Sequence, residues 1–216
     1  MKLYNSVGPN PRLVRMFLAE KGLNIPFVEV NIMAGENRGE AYRKKNPFGQ
    51  MPSLELDDGR VIAETTAICE YLEEKQPAPA LIGTTAEERA ETRMWTQRAV
   101  LNVIEPLANG FRYGEGLPMF KGRMRTIPQA ADDLKALAQD GLRLFDACLE
   151  GRRFIAGSRF TLADIALYCL LDFGATANQP LDPKLANVGA WFQRVAQRPS
   201  AEASLHPAAR AGKMRA

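Results

Sequence analysis

The distribution of strand patterns constrains the fold of this chain more than any other feature, because all of them lie before residue 85 of 216. The segments "KLYNS" and "PFVEVNI" read as short strands. Between them, apolar residues from Leu13 to Leu18 recur at helical spacing, and Lys21-Gly22 closes that helix. Strand, helix and strand in this order favour a parallel pair with a right-handed crossover.

A hairpin and another helix complete the first part of the chain. In "SLELDDGRVIAE" two strand runs flank the turn residues Asp-Asp-Gly. The polar segment "NRGEAYRKKN" before it is a short helix or irregular. After it, "TTAICEYLEEK" is an amphipathic helix with Thr65 or Thr66 as its N-cap. The order βαβ-α-ββα predicts a small α/β layer domain.

Helical patterns alone fill the second part of the chain. The prolines and glycine of "QPAPALIGTT" mark a linker, and Thr85-x-x-Glu88 is a capping-box pattern that opens a long helix. Further helical patterns follow, and Thr161-x-x-Asp164 begins the most apolar of them. We therefore predict a first domain over residues 1–76, a linker over 77–85 and an all-helical domain over 86–216.

Composition excludes several classes of function. The 28 basic and 25 acidic residues leave a net charge of +3, too even a balance to favour nucleic acid. Cys69, Cys148 and Cys169 form no CxxC pattern and read as reduced core residues. His206 is the only histidine and is expected at the surface, so catalysis by a Ser-His-Asp or Cys-His group and a histidine-rich metal site are excluded. We predict no bound metal.

No segment has the character of a membrane or export signal. The N-terminus "MKLYNSVGPNP" lacks the apolar run of a signal peptide. The longest apolar stretch, "TLADIALYCLLDFGA", contains Asp164 and Asp172 and is too short to span a bilayer. We therefore expect a cytoplasmic protein without a membrane partner.

Two stretches of the first part have the residues of a ligand site. In "NPFGQMPSLEL" the Met51–Pro52 bond comes directly before a strand, and a cis bond there would turn the Met51 backbone outward to pair with an extended peptide. In "AETTA", Glu64 ends a strand and Thr65 begins a helix. The free N–H groups of that helix can hold a carboxylate while Glu64 holds an ammonium group, which together suit an α-amino acid.

The third stretch is "SVGPNPR", residues 6–12, where the first helix begins. Asn10 is a favoured N-cap residue and Pro11 a favoured first helical residue. The free N–H groups at a helix start also lower the pKa of a nearby thiol. The same residues can therefore cap the helix and receive a thiolate.

These three stretches, in this order and followed by a helical domain, resemble the glutathione transferase family over nearly the whole chain. In that family a thioredoxin-like domain binds glutathione and a helical domain covers the electrophile pocket. The family's loop proline matches Pro52, and its acidic-hydroxyl pair, usually Glu-Ser, matches Glu64-Thr65. Its helical-domain cap matches "FTLADIAL", which serves folding and stability. The resemblance thus implies a thioredoxin-like first domain.

The resemblance also implies roles for individual residues toward glutathione. Gln50 would lie near the glycyl end, Met51 would pair with the cysteinyl backbone, and Pro52 would shape the loop. Glu64 and Thr65 would hold the γ-glutamyl head.

The sequence departs from the family at the residue expected to contact the glutathione thiol. Most members place a Tyr, Ser or Cys at the end of the first strand, whereas Tyr4 lies inside the strand here and is expected in the core. The stretch is most similar to nu-class bacterial members, which use a Thr and an Asn. Gly8 falls where that Thr would be, and Asn10 falls on the Asn. Asn10 is the first candidate for activating the thiol and Ser6 the second.

The expected function is transfer of the glutathione thiolate to a small electrophile, which the sequence does not identify. Two alternatives stay open: glutathione-dependent disulfide or peroxide reduction, suggested by Asn10, and a binding module of the same fold without turnover. The resemblance also implies a homodimer.

Overall fold

A four-stranded mixed sheet forms the centre of the first part of the computed structural model, which describes residues 1–211 and 215. The strands are β1 (Lys2–Asn5), β2 (Phe27–Glu29), β3 (Ser53–Glu55) and β4 (Val61–Ala63). Their spatial order is β2-β1-β3-β4, with β1 parallel to β2 and antiparallel to β3, and β3 antiparallel to β4. The predicted α/β layer is confirmed, with its parallel pair β1 and β2 and its hairpin of β3 and β4.

Helices make up most of the remaining described secondary structure. In chain order they are α1 (Pro9–Lys21), α2 (Glu40–Arg43), α3 (Thr65–Lys75), α4 (Ala86–Ala99), α5 (Glu105–Tyr113), α6 (Leu117–Phe120), α7 (Ala131–Leu149), α8 (Leu162–Thr176), α9 (Ala186–Ala196), α10 (Pro199–Ala203) and α11 (Pro207–Ala211). A π-helical turn, Val100–Ile104, joins α4 to α5, and 3₁₀ turns lie at Glu36–Arg38 and Pro128–Ala130. In the described part of the chain, no helix is both long and apolar enough to cross a membrane.

The chain divides into two units. The first contains Met1–Ala80 and the described residues from Pro199 onward, and the second contains Leu81–Arg198. This division differs from the predicted boundaries, which place residues 199–216 in the helical domain. The physical reason lies in α1: the buried Arg12 side chain donates to the carbonyl of Ala201 (3.1 Å), and Arg15 donates to that of Ser204 (2.8 Å). No sequence pattern around either arginine predicts a hydrogen bond to the C-terminal segment.

The start of α1 corrects the sequence expectation for Asn10. The N-cap is Gly8, with φ 141° and ψ 158°, and Pro9 is the first helical residue. Asn10 is the second helical residue and Pro11 the third, so the prediction that Asn10 caps the helix with Pro11 following is wrong. Gly8 occupies a positive-φ region that other residues avoid, and the fixed φ of Pro9 suits the first turn.

A buried ion pair joins α1 to α3. The Lys21 ammonium lies 2.5 Å from Glu73 Oε2, and it also donates to the carbonyl of Pro79 at 2.7 Å. Both side chains are almost fully buried. The Glu73 carboxylate pairs with the Lys21 ammonium and the Pro79 carbonyl accepts from it, so the ammonium is compensated where water cannot reach it.

One expectation from composition is corrected and one is met in part. Cys69 and Cys169 are buried as predicted, but Cys148 lies on the exposed face of α7. The His206 side chain is partly exposed, at 15%, and its Nε2 contacts Glu29 Oε2 at 3.0 Å.

Asp164 organises the second unit around the start of α8. Its carboxylate accepts from the backbone N–H groups of Thr161 (2.9 Å) and Ile155 (3.0 Å) and from the Trp191 indole (2.8 Å). The Thr161 hydroxyl also donates to it at 3.1 Å. Burial raises the pKa of the Asp164 carboxyl, and these hydrogen bonds oppose that shift.

We predict that Asp164→Ala lowers the free energy of unfolding by at least about 3 kcal/mol, because each buried donor without an acceptor costs about 1–3 kcal/mol. The matched control is Thr161→Val, which keeps the shape of the side chain and removes the hydroxyl of the capping box, and should cost about 1 kcal/mol. Urea unfolding measures both. Equal losses in the two variants would show that the carboxylate is not the centre of this cluster.

Candidate functional site

The register of the sheet brings three stretches of chain to one edge. Tyr4 of β1 lies opposite Ser53 of β3, and Ser53 lies opposite Ala63 of β4. Strands β1 and β4 end next to this row, while β3 begins there. The residues that follow β1, precede β3 and follow β4 therefore leave the sheet at the same edge.

The loop before β3 is held by polar side chains from the segment that precedes it in the chain. Asn37 Nδ2 donates to the carbonyl of Gly49 at 2.7 Å. The Tyr42 hydroxyl and Asn46 Nδ2 both donate to the carbonyl of Gln50, each at 2.9 Å. Because all three donors bind backbone atoms, the path of this loop is set independently of its own side chains. The Gln50 side chain itself is exposed.

Met51 follows directly and is joined to the buried Pro52 by a cis peptide bond. Its side chain packs against a buried cluster of Tyr4, Val30 and Tyr42. Among residues 1–211 and 215, none forms a hydrogen bond with the backbone N–H or C=O of Met51. The side chain is thus anchored while the backbone polar groups keep their hydrogen-bonding capacity.

Glu64 joins β4 to α3 with an unusual backbone conformation, φ 68° and ψ 126°. It is exposed and occupies the N-cap position, so the prediction that Thr65 or Thr66 caps the helix is wrong, while Thr65 does begin it. The N–H of Ile68 bonds to the Glu64 carbonyl at 3.0 Å. The three N–H groups before Ile68 have no helical partner and lie next to an exposed carboxylate. A non-glycine residue held in such a conformation stores about 1–3 kcal/mol of strain, often at a functional site.

Ser6 and Asn10 differ in the state of their side chains. Ser6 is 2 % exposed, and its hydroxyl donates to the carbonyl of Val30 at 2.7 Å. Asn10 is half-buried, and no residue within the described ranges forms a hydrogen bond with its amide side chain. Proline has no N–H, so Pro9 and Pro11 contribute no donor to the first turn of α1.

Tyr4 is confirmed as a core residue. It is 7 % exposed, and its hydroxyl donates to Glu55 Oε2 at 2.7 Å. Hydrogen bonds from Lys45, Tyr4 and Lys2 lower the pKa of Glu55 to about 2. The Tyr4 hydroxyl is therefore committed to a carboxylate within its own sheet.

Sequence reasoning missed the residues that hold the site from behind. Asn37, Tyr42 and Asn46 lie in the polar segment that was predicted only as either a short helix or irregular structure. Their pattern carries no periodic signal, because each bonds to the backbone of a neighbouring loop.

Comparisons with known proteins agree on one family. Residues 3–80 match "Glutathione S-transferase, N-terminal domain", and residues 117–199 match "Glutathione S-transferase, C-terminal domain". Glutathione S-transferase 2 of Saccharomyces cerevisiae is 33% identical over 93% of this chain and 87% of that protein.

Two solved structures show the same fold. One is a glutathione S-transferase domain-containing protein from Marinobacter aquaeolei, with a TM-score of 0.88 and 38% identity over 93% of this chain and 99% of that one. The other is a glutathione S-transferase from Methylobacillus flagellatus solved with glutathione bound, with a TM-score of 0.80 and 26% identity over 94% and 98% of the two chains.

The strain at Glu64 is open to direct measurement. Glu64→Gly and Glu64→Ala remove the same carboxylate, but only glycine adopts this φ without strain. We predict that Glu64→Gly is more stable than Glu64→Ala by about 1 kcal/mol, after allowing for the greater entropy of glycine in the unfolded chain. Urea unfolding of the pair gives this difference. Equal stability would show that the conformation carries no strain.

Proposed function

The chain belongs to the glutathione transferase family, and from this premise we propose that it transfers the thiolate of glutathione to a small electrophile. The observation that carries the proposal is the convergence at one sheet edge of three groups that match glutathione. They are an exposed carboxylate beside a helix start, the backbone N–H and C=O of Met51, which bond to none of the described residues, and the start of α1. The relative from Methylobacillus flagellatus, solved with glutathione bound, supports this choice of ligand.

The γ-glutamyl head of glutathione is an α-amino acid, with an ammonium and a carboxylate on one carbon. We propose that Glu64 accepts from the ammonium, while the N–H groups at the start of α3 and the Thr65 hydroxyl donate to the carboxylate. The exposure of Glu64 supports this role, since the ligand can reach it.

The cysteinyl part of glutathione is a peptide with one N–H and one C=O. Met51 carries the complementary pair of backbone groups directly before β3, so glutathione would add to it as a short extended segment. Pro52 shapes the loop, and Gln50 lies one residue before Met51, on the side proposed for the glycyl end. The hydrogen bonds from Tyr42 and Asn46 keep this segment in position before the ligand arrives.

The thiol would then lie at the start of α1, where we propose Asn10 as the activating residue. Its side-chain amide can donate to a thiolate, and so can its backbone N–H, whereas the neighbouring prolines cannot. Ser6 is the weaker candidate because its hydroxyl already donates to Val30. A thiolate stabilised in this way attacks the electrophile without a histidine base.

We also propose a homodimer, with its contact face on the second unit. Leu101 and Leu144 are 61% and 64% exposed, a high value for leucine, and Leu144 lines a cavity of about 260 Å³ together with Trp95, Phe145 and Cys148. A second copy would cover this apolar surface. Light scattering at micromolar concentration should give twice the mass of the chain.

The activity is tested by a thermal shift with glutathione, followed by turnover with a chlorinated nitroaromatic and with hydroxyethyl disulfide. We expect a shift and turnover of the nitroaromatic. Turnover of the disulfide alone would favour the reductase alternative. The absence of a shift at millimolar glutathione would favour a binding module without this ligand.

Glu64→Gln should weaken glutathione binding at least about tenfold, because a hydrogen bond to a charged group contributes about 1.5–3 kcal/mol. Glu74→Gln, which neutralises an exposed carboxylate on the same helix, is the control and should keep the parent dissociation constant. Calorimetry measures both. A folded Glu64→Gln protein that binds like the parent would remove Glu64 from the site.

Substitutions of Asn10 should affect activity, whereas a substitution of Ser6 should affect stability. Because Asn10 does not cap α1, Asn10→Ala should keep the melting temperature but raise the pKa of the bound thiol and lower turnover. Asn10→Asp should lose more turnover, since an ionised carboxylate repels a thiolate. Ser6→Ala should cost about 1 kcal/mol of stability and keep turnover. An inactive Ser6→Ala beside a fully active Asn10→Asp would identify the serine as the activating group.

A further inference from the structure

A buried guanidinium lies directly behind the stretch that begins α1. Arg15 is 7% exposed, and its Nη1 donates to Asn5 Oδ1 at 2.6 Å and to the backbone carbonyl of Ser6 at 3.0 Å. Its Nε donates to the carbonyl of Ser204 at 2.8 Å. One planar group therefore holds the end of β1 and the C-terminal segment at the same time.

The C-terminal segment is itself fixed on α1. Arg12, which is fully buried, donates to Ser204 Oγ at 3.3 Å and to the carbonyl of Ala201 at 3.1 Å. The Ser204 hydroxyl donates to the same carbonyl at 2.9 Å. The carbonyl that accepts from Arg15 is thus part of an ordered turn.

A chain of polar contacts through Asn5, Glu29 and His206 forms a second link between the end of β1 and the C-terminal segment. Asn5 Nδ2 donates to Glu29 Oε1, and Glu29 Oε2 contacts His206 Nε2 at 3.0 Å. Asn5 is thus held at both ends of its amide, by Glu29 and by Arg15. The contacts run in a ring from Arg15 through Asn5, Glu29 and His206 back to Ser204, which is two residues from His206.

The bond from Arg15 to Ser6 sets the direction of the next N–H group. The Ser6–Val7 peptide is trans, and a planar trans peptide points its C=O and N–H in opposite directions. With the Ser6 carbonyl directed at Arg15, the Val7 N–H points away from it. Within the described part of the chain, no group accepts from this N–H.

We propose that Arg15 is a positioning residue for the thiol. It orients the Ser6–Val7 peptide so that the Val7 N–H joins Asn10 as a donor to the glutathione sulfur, and residues 199–206 hold Arg15 in that orientation. This inference rests on the proposed function. It adds that a donor from the backbone serves where most members of the family use a side chain of Tyr, Ser or Cys.

The test compares Arg15→Met with Arg12→Met in the full-length protein. Both remove a buried guanidinium from α1 that binds the C-terminal segment, but Arg15 is the one that donates to Ser6. Ultraviolet titration of the bound complex gives the pKa of the glutathione thiol, and calorimetry gives the dissociation constant above that pKa. Circular dichroism establishes that each variant is folded.

Arg15→Met should raise the pKa of the bound thiol by about one unit, the effect of weakening one hydrogen bond to a charged acceptor. Turnover below that pKa should fall about tenfold and recover at higher pH. Arg12→Met loosens only the segment that supports Arg15 and keeps the bond from Arg15 to Ser6, so it should raise the pKa of the thiol by less than Arg15→Met does. Arg15→Lys, which keeps the charge but loses the fork of donors, should give an intermediate pKa.

An unchanged thiol pKa in folded Arg15→Met, or an equal rise in Arg12→Met, would overturn the proposal. Where Arg15→Met does not fold, Asn5→Ala releases one anchor of the guanidinium and should raise the pKa in the same direction; a thiol pKa like that of the parent would then overturn it. Failure of the proposed function is distinct, because the parent itself would bind no glutathione or bind it without lowering its thiol pKa.

Discussion

The antiparallel register of β1, β3 and β4 is the constraint on which the candidate site depends. Because Tyr4, Ser53 and Ala63 lie in one row, segments that are far apart in the chain leave the sheet side by side. A slip of one residue would move every strand side chain to the opposite face and separate the three stretches. The buried cluster of Tyr4, Val30 and Tyr42 on one face opposes such a slip. The site is thus a consequence of core packing.

The polar groups behind the site share one role, which is to fix backbone atoms. Asn37, Tyr42 and Asn46 bind the loop before Met51, and Arg15 binds the carbonyl of Ser6. A peptide ligand that is recognised through its own backbone needs partners with little freedom, since ordering them on binding would reduce affinity. The strain at Glu64 belongs to the same arrangement, because surrounding structure must hold a residue in a conformation that it avoids on its own.

The helices α1 and α3 begin with different numbers of free backbone N–H groups. In α3 three consecutive N–H groups before Ile68 have no helical partner, next to the exposed Glu64. In α1 two prolines remove donors, so the first turn offers few backbone N–H groups. A carboxylate can accept hydrogen bonds from several consecutive backbone N–H groups. A single sulfur atom needs only one or two hydrogen-bond donors that point toward it. Under the proposed function, the starts of α3 and α1 would bind two different parts of one ligand.

Local pattern was sufficient to predict much of this protein. Short motifs predict the order βαβ-α-ββα, the helical second part and the cap at Thr161 and Asp164, because periodicity and turn chemistry act between near neighbours in the chain. The family was predicted from the resemblance of such motifs to those of its members. Local pattern does not predict the exact start of α1, the burial of Ser6, the half-buried state of Asn10 or the attachment of residues 199–211 to the first unit. Each depends on contacts between residues far apart in sequence, such as Arg15 with Ser204, and only the tertiary structure brings those residues together.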